Sequence, residues 1–188
     1  MDTLKQSIIL FDLDGTLTDS EEGIIRSTQY MQEKMGQRIW SAEELHFIVG
    51  PPLMQSFTKE FGMAQEMAEK AVAIFRERYA TIGLFENSVF PGVVELLQAL
   101  RKKGKRLAVA TSKKEDLAVR ILEHFQLADC FERIAGASMD EKRVEKADVL
   151  RYVMEDLGQV DLTKAVMVGD RENDVRGARE NGLPCIGV

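Results

Sequence analysis

Ile8-Ile9-Leu10-Phe11 is an unbroken apolar run between polar flanks, the pattern of a strand buried on both faces. Leu107 to Ala110, Ala165 to Val168 and Pro184 to Val188 repeat it, and Arg133 to Ala135 is a weaker instance. Between these runs apolar residues recur at helical spacing. Val93, Val94, Leu96, Leu97 and Leu100 form one stripe, opened by Gly92 and closed by Gly104. Leu117, Ile121, Leu122 and Phe125 form a second, and Val149, Leu150, Val153, Met154 and Leu157 a third that ends at Gly158. Glycine just past an amphipathic stripe is a helix-stop signal. Strands alternating with helices of this length predict an α/β fold built on a doubly wound, mostly parallel, Rossmann-like sheet.

Residues 20 to 88 break the alternation. Their apolar positions (Ile24, Thr28, Met31 and Met35; Leu45 and Ile48; Met67, Ala71, Ile74 and Phe75) have helical spacing, with no convincing strand among them. A structureless connection of that length is implausible in a compact protein. The pattern therefore predicts a core domain of residues 1–18 and 90–188, with a small all-helical domain, 19–89, inserted after the first strand.

Composition narrows the class without deciding it. A chain of 188 residues that is 45% hydrophobic and 30% charged suits a soluble globular protein. The net charge of −6 argues against nucleic-acid or anionic-membrane partners. The densest basic run, Arg101 to Arg106, falls where a helix should end and complements its dipole. No apolar run approaches the length of a membrane span, and the polar start MDTLKQS does not resemble a signal peptide. Cys130 and Cys185 have no metal or redox spacing and read as buried free thiols. A cytoplasmic location is expected.

The chemistry gathers where strands end. In an open parallel sheet, ligands bind at the carboxyl ends of the strands near the switch in strand order. Asp12 and Asp14 follow the first run; Thr111, Ser112 and Lys113 follow the second; Gly169, Asp170 and then Asp174 follow Ala165 to Val168. Each has a plain alternative: a turn for Asp12 and Asp14, a helix N-terminus for Asp170 and Asp174, an N-cap for Ser112. Four carboxylates on one rim repel one another unless some are protonated or a cation sits among them. An all-oxygen donor set suits Mg²⁺.

Asp12-Leu13-Asp14-Gly15-Thr16, Thr111 after an apolar strand, Lys146, and Gly169-Asp170-Arg-Glu-Asn-Asp174 resemble, in order, the four motifs of the haloacid dehalogenase (HAD) superfamily. LTDS at 17–20 and IVGPPL at 48–53 are closest to its phosphoglycolate-phosphatase-like branch, and the inserted helices resemble the family's cap. The resemblance implies a Mg²⁺-dependent phosphatase acting on a small phosphorylated metabolite. Asp12 is its nucleophile, forming an aspartyl phosphate, and Asp14 its general acid and base. The metal falls to Asp12, Asp170 and the backbone carbonyl of Asp14, with Asp174 acting directly or through water. Thr111 donates to the phosphoryl oxygens, and Lys146 neutralises nucleophile and phosphate, although Lys142 and Arg143 lie nearby. Gly15 and Thr16 shape the turn beneath the phosphate, and Ser112 and Lys113 are further phosphate contacts. In the insertion, Glu21, Arg26 and the Gly50-Pro51-Pro52 turn are candidates for substrate selection. His46 and His124 read as structural or surface residues. The sequence ends at Val188, where relatives usually continue through another loop, a short strand and a helix.

Four rival readings share part of this pattern. A phosphomutase of the β-phosphoglucomutase kind would use the same two aspartates, and a pyrophosphatase or 5'-nucleotidase the same core. A receiver-like phospho-acceptor module also has an acidic rim on a doubly wound sheet, but Asp14 and the insertion speak against it. A P-type pump would carry Thr in place of Asp14 and membrane spans, and no Walker-type glycine loop is present. A monomer or weak homodimer is expected.

Overall fold

The computed structural model describes residues 5–50, 52–140, 142–158 and 161–188. In chain order its elements are β1 (Ile8–Phe11), β2 (Thr18–Asp19), α1 (Glu21–Lys34), α2 (Ala42–Leu45), α3 (Leu53–Lys59), α4 (Gln65–Arg78), β3 (Ser88–Val89), α5 (Val93–Lys102), β4 (Arg106–Lys114), α6 (Glu115–His124), β5 (Arg133–Ala137), α7 (Lys146–Asp156), β6 (Ala165–Gly169), α8 (Glu172–Glu180) and β7 (Cys185–Gly187). They fall into two compact units: residues 1–18 with 89–188, and residues 19–88.

The first unit is built on a parallel sheet of order β5-β4-β1-β6-β7. β1 sits at its centre, with Ile8 to Phe11 in register with Arg106 to Val109 on one side and Ala165 to Val168 on the other. Pairing on both edges and cover on both faces explain the unbroken apolar run. Ile8 and Leu10 share a buried cluster with Ala108, Ala110, Ala135, Val149, Leu150 and Val153. The alanines keep that face of the sheet low, so that the branched residues of α7 reach it. Phe11 meets Phe131 edge-on, with ring centroids 6.3 Å apart. After β1 the chain goes to β4 on one flank, and after β5 it crosses to β6 on the other, so strand order switches beside β1.

The strands expected from the apolar runs are present, and β4 is longer than its run. It continues through Thr111, Ser112 and Lys113 to Lys114, with a register shift against β5 between Ala110 and Lys114. β5 supplies the reason, because it runs on to Ala137 and gives Lys114 a partner there. A Cβ on Gly136 would run into the carbonyl of Lys113, so a glycine makes room for the irregular stretch.

The second unit packs α1 against α4 and the widened turn Tyr79–Gly83. Gly23 and Gly83 face each other so closely that a Cβ on Gly23 would overlap the Gly83 carbonyl. Met31, Leu45, Ile48, Phe57, Ala68, Ala71 and Phe75 fill its core, and Trp40 stacks on Phe61 with centroids 4.7 Å apart. Arg78 binds Glu86 through two hydrogen bonds of 2.6 and 2.9 Å, and Arg26 adds a third at 3.0 Å. Where no strand was expected, two-residue β2 and β3 pair into a second, two-stranded sheet. Cys130 and Cys185 are free but half-buried, not buried as the sequence suggested. No helix among the described residues is long and apolar enough to cross a membrane.

Candidate active site

Asp12 continues the ladder of β1, its N–H donating to the Val168 carbonyl at 2.9 Å. The chain then turns tightly: the N–H groups of Leu17 and Thr18 both reach the Leu13 carbonyl, and Leu13 itself is buried. Gly15 takes φ +85°, and a Cβ there would collide with the Asp170 carboxylate. Thr16 Oγ1 donates to Asp170 Oδ1 at 3.0 Å, and Arg171 Nε lies 3.4 Å from Asp170 Oδ2. The turn after β1 thus fixes an acid at the end of β6.

Asp174 sits in the first turn of α8, where its Oδ2 accepts from the Arg171 N–H at 3.1 Å. The helix N-terminus explains that oxygen. Its other oxygen, Oδ1, is 2.7 Å from Lys146 Nζ, which also lies 2.9 Å from Asp12 Oδ1 and donates to the Ala110 carbonyl at 2.9 Å. Lys146 is the first residue of α7, and its side chain is only 3% exposed. A solvated lysine at a helix start is therefore excluded. Lys142 is exposed beside Asp140, and Arg143 is engaged by Glu115 at 2.6 Å.

Burial pushes the Lys146 ammonium toward deprotonation, but the charges of Asp12 and Asp174 outweigh it and hold its pKa above the ordinary lysine value. Burial pushes Asp174 up and the Asp12 charge adds to this, with Lys146 opposing; the net direction is upward. Both shifts describe one crowded patch of charge from which water is excluded.

Carboxylate oxygens of Asp12, Asp170 and Asp174 all lie within 4.8 Å of one another. Asp12 Oδ1 and Asp174 Oδ1 are buried without a well-aligned hydrogen bond and are held by charge alone. Three carboxylates against the Lys146 ammonium and the Arg171 guanidinium still leave one negative charge in excess, which a hard divalent cation would offset. The side chain of Asp14 stands outside this cluster. Its Oδ2 is 2.8 Å from Lys113 Nζ, and its Oδ1 is buried without a hydrogen-bond partner. Thr111 is buried, and its Oγ1 accepts from the Lys113 N–H at 3.2 Å, which leaves the hydroxyl proton to donate elsewhere.

The other candidates divide. Ser112 is exposed within β4, and the N-cap of α6 is Lys114 without a side-chain bond, so Ser112 is not a helix cap. In the second unit, Arg26 is satisfied by Glu22 and Glu86. Glu21 pairs with His46 Nδ1 at 2.6 Å, a partner acid the sequence spacing did not suggest. Pro51 of the Gly50-Pro51-Pro52 turn lies outside the described residues. His124 meets Phe125 edge-on at 4.9 Å. Gly177 is not singled out by the sequence, and Gly169 and Arg171 stand there only as members of a motif, without a role. A Cβ on Gly169 would overlap the Asp174 carboxylate; its signal was a glycine inside an apolar strand beside an acid.

Residues 9–188 match the family model of the haloacid dehalogenase-like hydrolases. The chain is 42% identical over 185 residues to a 5'-nucleotidase of Pseudomonas aeruginosa, covering 98% of this chain and 83% of that protein. It is 32% identical over 189 residues to a phosphoglycolate phosphatase of Pseudomonas savastanoi pv. phaseolicola, covering 96% and 68%. The solved structure of Protein Tyrosine Kinase A from Mycobacterium tuberculosis superposes with a TM-score of 0.86 at 41% identity, covering 97% of this chain and 83% of that one.

Proposed function

The chain belongs to the haloacid dehalogenase-like hydrolases and is a phosphatase, and we propose that it hydrolyses a small phosphate monoester through a phosphoryl group carried transiently on Asp12. One observation carries this reading: the two acids after β1 have different surroundings. Asp12 lies in the carboxylate cluster against Lys146, whereas Asp14 lies outside it against Lys113. Acids held in unlike environments can take unlike roles.

Asp12 attacks phosphorus through a carboxylate oxygen, and the ester oxygen leaves as the P–O bond breaks. Asp14 protonates that oxygen. It then takes a proton from the water that attacks the acyl phosphate, which releases inorganic phosphate and restores the Asp12 carboxylate and the protonated Asp14. Lys146 holds Asp12 in place and offsets its charge as the phosphate approaches. Thr111 and Lys113 donate to the phosphoryl oxygens, and Thr16 keeps Asp170 against the turn. The oxygen donors of Asp12, Asp170 and Asp174 fit Mg²⁺, with the Asp14 carbonyl as a further ligand. The ion would supply charge neutralisation between the phosphate dianion and the nucleophile.

The relatives' names direct the substrate to 5'-nucleotides and phosphoglycolate. The test is a panel of nucleoside 5'-monophosphates, phosphoglycolate and sugar phosphates, with Mg²⁺ and with EDTA, beside the Asp12→Asn protein. Phosphate release that needs Mg²⁺ and Asp12 is expected. Release undiminished in Asp12→Asn, or absent with every ester, overturns the reading, and transfer between sugar hydroxyls without free phosphate would make the protein a mutase.

A further inference from the structure

Gly177 lies inside α8 and is buried. Glycine is the poorest helix former after proline, and nothing at this position demands unusual backbone, since its φ is not among the positive values. What it does permit is close passage. A Cβ built on Gly177 would stand 2.8 Å from Cγ and 3.0 Å from Cβ of Lys146, and 3.1 Å from the Ala147 nitrogen. These atoms belong to the stem of the lysine and the backbone of α7, not to the free end of a flexible chain. The far end is also fixed, since Nζ is held by Asp12, Asp174 and the Ala110 carbonyl. A lysine tethered at both ends cannot step aside for a methyl group without giving up at least one contact at its tip.

We propose that Gly177 is a positioning residue for Lys146: its missing side chain is the slot through which the lysine crosses from the start of α7 to the carboxylates at the ends of β1 and α8. Asn181, one turn on, ties the same two helices by donating to the Ala147 carbonyl at 3.0 Å, so α8 cannot relax by sliding away. This proposal rests on the role given above to Lys146, and its test has one arm that needs no activity.

The experiment compares wild type, Gly177→Ala, Lys146→Ala and the double variant. In the first arm, a lysine-acylating reagent is followed by peptide mapping, with exposed Lys142 as internal standard. Lys146 is expected to be protected in wild type and severalfold more reactive in Gly177→Ala. In the second arm, hydrolysis of p-nitrophenyl phosphate is expected to fall about 10²-fold in kcat in Gly177→Ala, the scale of a misplaced catalytic group. The same change is expected to cost much less in Lys146→Ala, where the 2.8 Å contact with Cγ and the tether at the tip are gone and only the looser contacts with Cβ and the Ala147 nitrogen remain. Lys146 remaining protected with kcat within about twofold of wild type overturns the proposal, as does an equal loss in both backgrounds. Should wild type release no phosphate, the functional reading fails and the acylation arm still decides this one. Should Gly177→Ala fail to fold, the double variant melting with Lys146→Ala supports the slot, and its unfolding too overturns it.

Discussion

Lys113 Nζ lies 2.8 Å from Asp14 Oδ2, and the lysine side chain is only 8% exposed. The pair orients the acid proposed to exchange protons and separates it from the cluster around Lys146. Asp14→Asn should therefore slow turnover by about 10²–10⁴-fold on alkyl phosphates, the usual contribution of a positioned acid or base. The loss of the first step should be much smaller on p-nitrophenyl phosphate, whose leaving group needs no proton. Lys113→Met should reduce kcat less than Asp14→Asn, because it leaves the acid present but misdirected. Steady-state rates on the two esters check this; equal losses on both would remove the leaving-group role of Asp14.

Gly15→Ala should be costly for two separable reasons. The φ of +85° strains any other residue by about 1–3 kcal/mol. The new methyl would also displace the Asp170 carboxylate against which the turn is packed. Thermal unfolding reports the first effect. Isothermal titration with Mg²⁺ reports the second, with weaker binding expected than in wild type.

The pH dependence of stability has a predictable part in the helical unit. Hydrogen bonds from Arg78, with Arg26 in support, hold the Glu86 carboxyl below its ordinary pKa. A depressed folded-state pKa means that the ionised form stabilises the fold at pH values above the unfolded carboxylate pKa of about 4.3. That contribution is lost as pH falls through the lower, folded value. Wild type should therefore melt above Glu86→Gln at neutral pH, and the gap should close on acidification below the ordinary carboxylate range. A gap that stays constant down to acid denaturation would contradict this.

The core strands were legible because β1, paired on both edges, has to be apolar throughout, and Ile8 to Phe11 show nothing else. The end of β4 was not, since Thr111 to Lys113 look like an exit from the sheet until β5 supplies a partner for Lys114. Asp12, Asp170 and Asp174 were readable from their places after apolar runs, and their oxygens do converge. Lys146 could be chosen over Lys142 and Arg143 only by resemblance. What distinguishes it is a buried path across α8, set by Gly177, and no local pattern encodes that. What sequence could not give for Ser112 and Arg26 is their surroundings: Ser112 is exposed within β4 rather than capping a helix, and Arg26 pairs with Glu86, sixty residues away in sequence.

The central claim is that Asp12 carries the phosphoryl group, and rapid acid quench tests it most directly. The enzyme would be mixed with a ³²P-labelled monoester and Mg²⁺, quenched within the first turnover, and the labelled peptide mapped. The account predicts acid-stable, hydroxylamine-sensitive label on the peptide containing Asp12, enriched in Asp14→Asn with a good leaving group and absent in Asp12→Asn. Phosphate release in the wild type with no label, or with label on another residue, would contradict it.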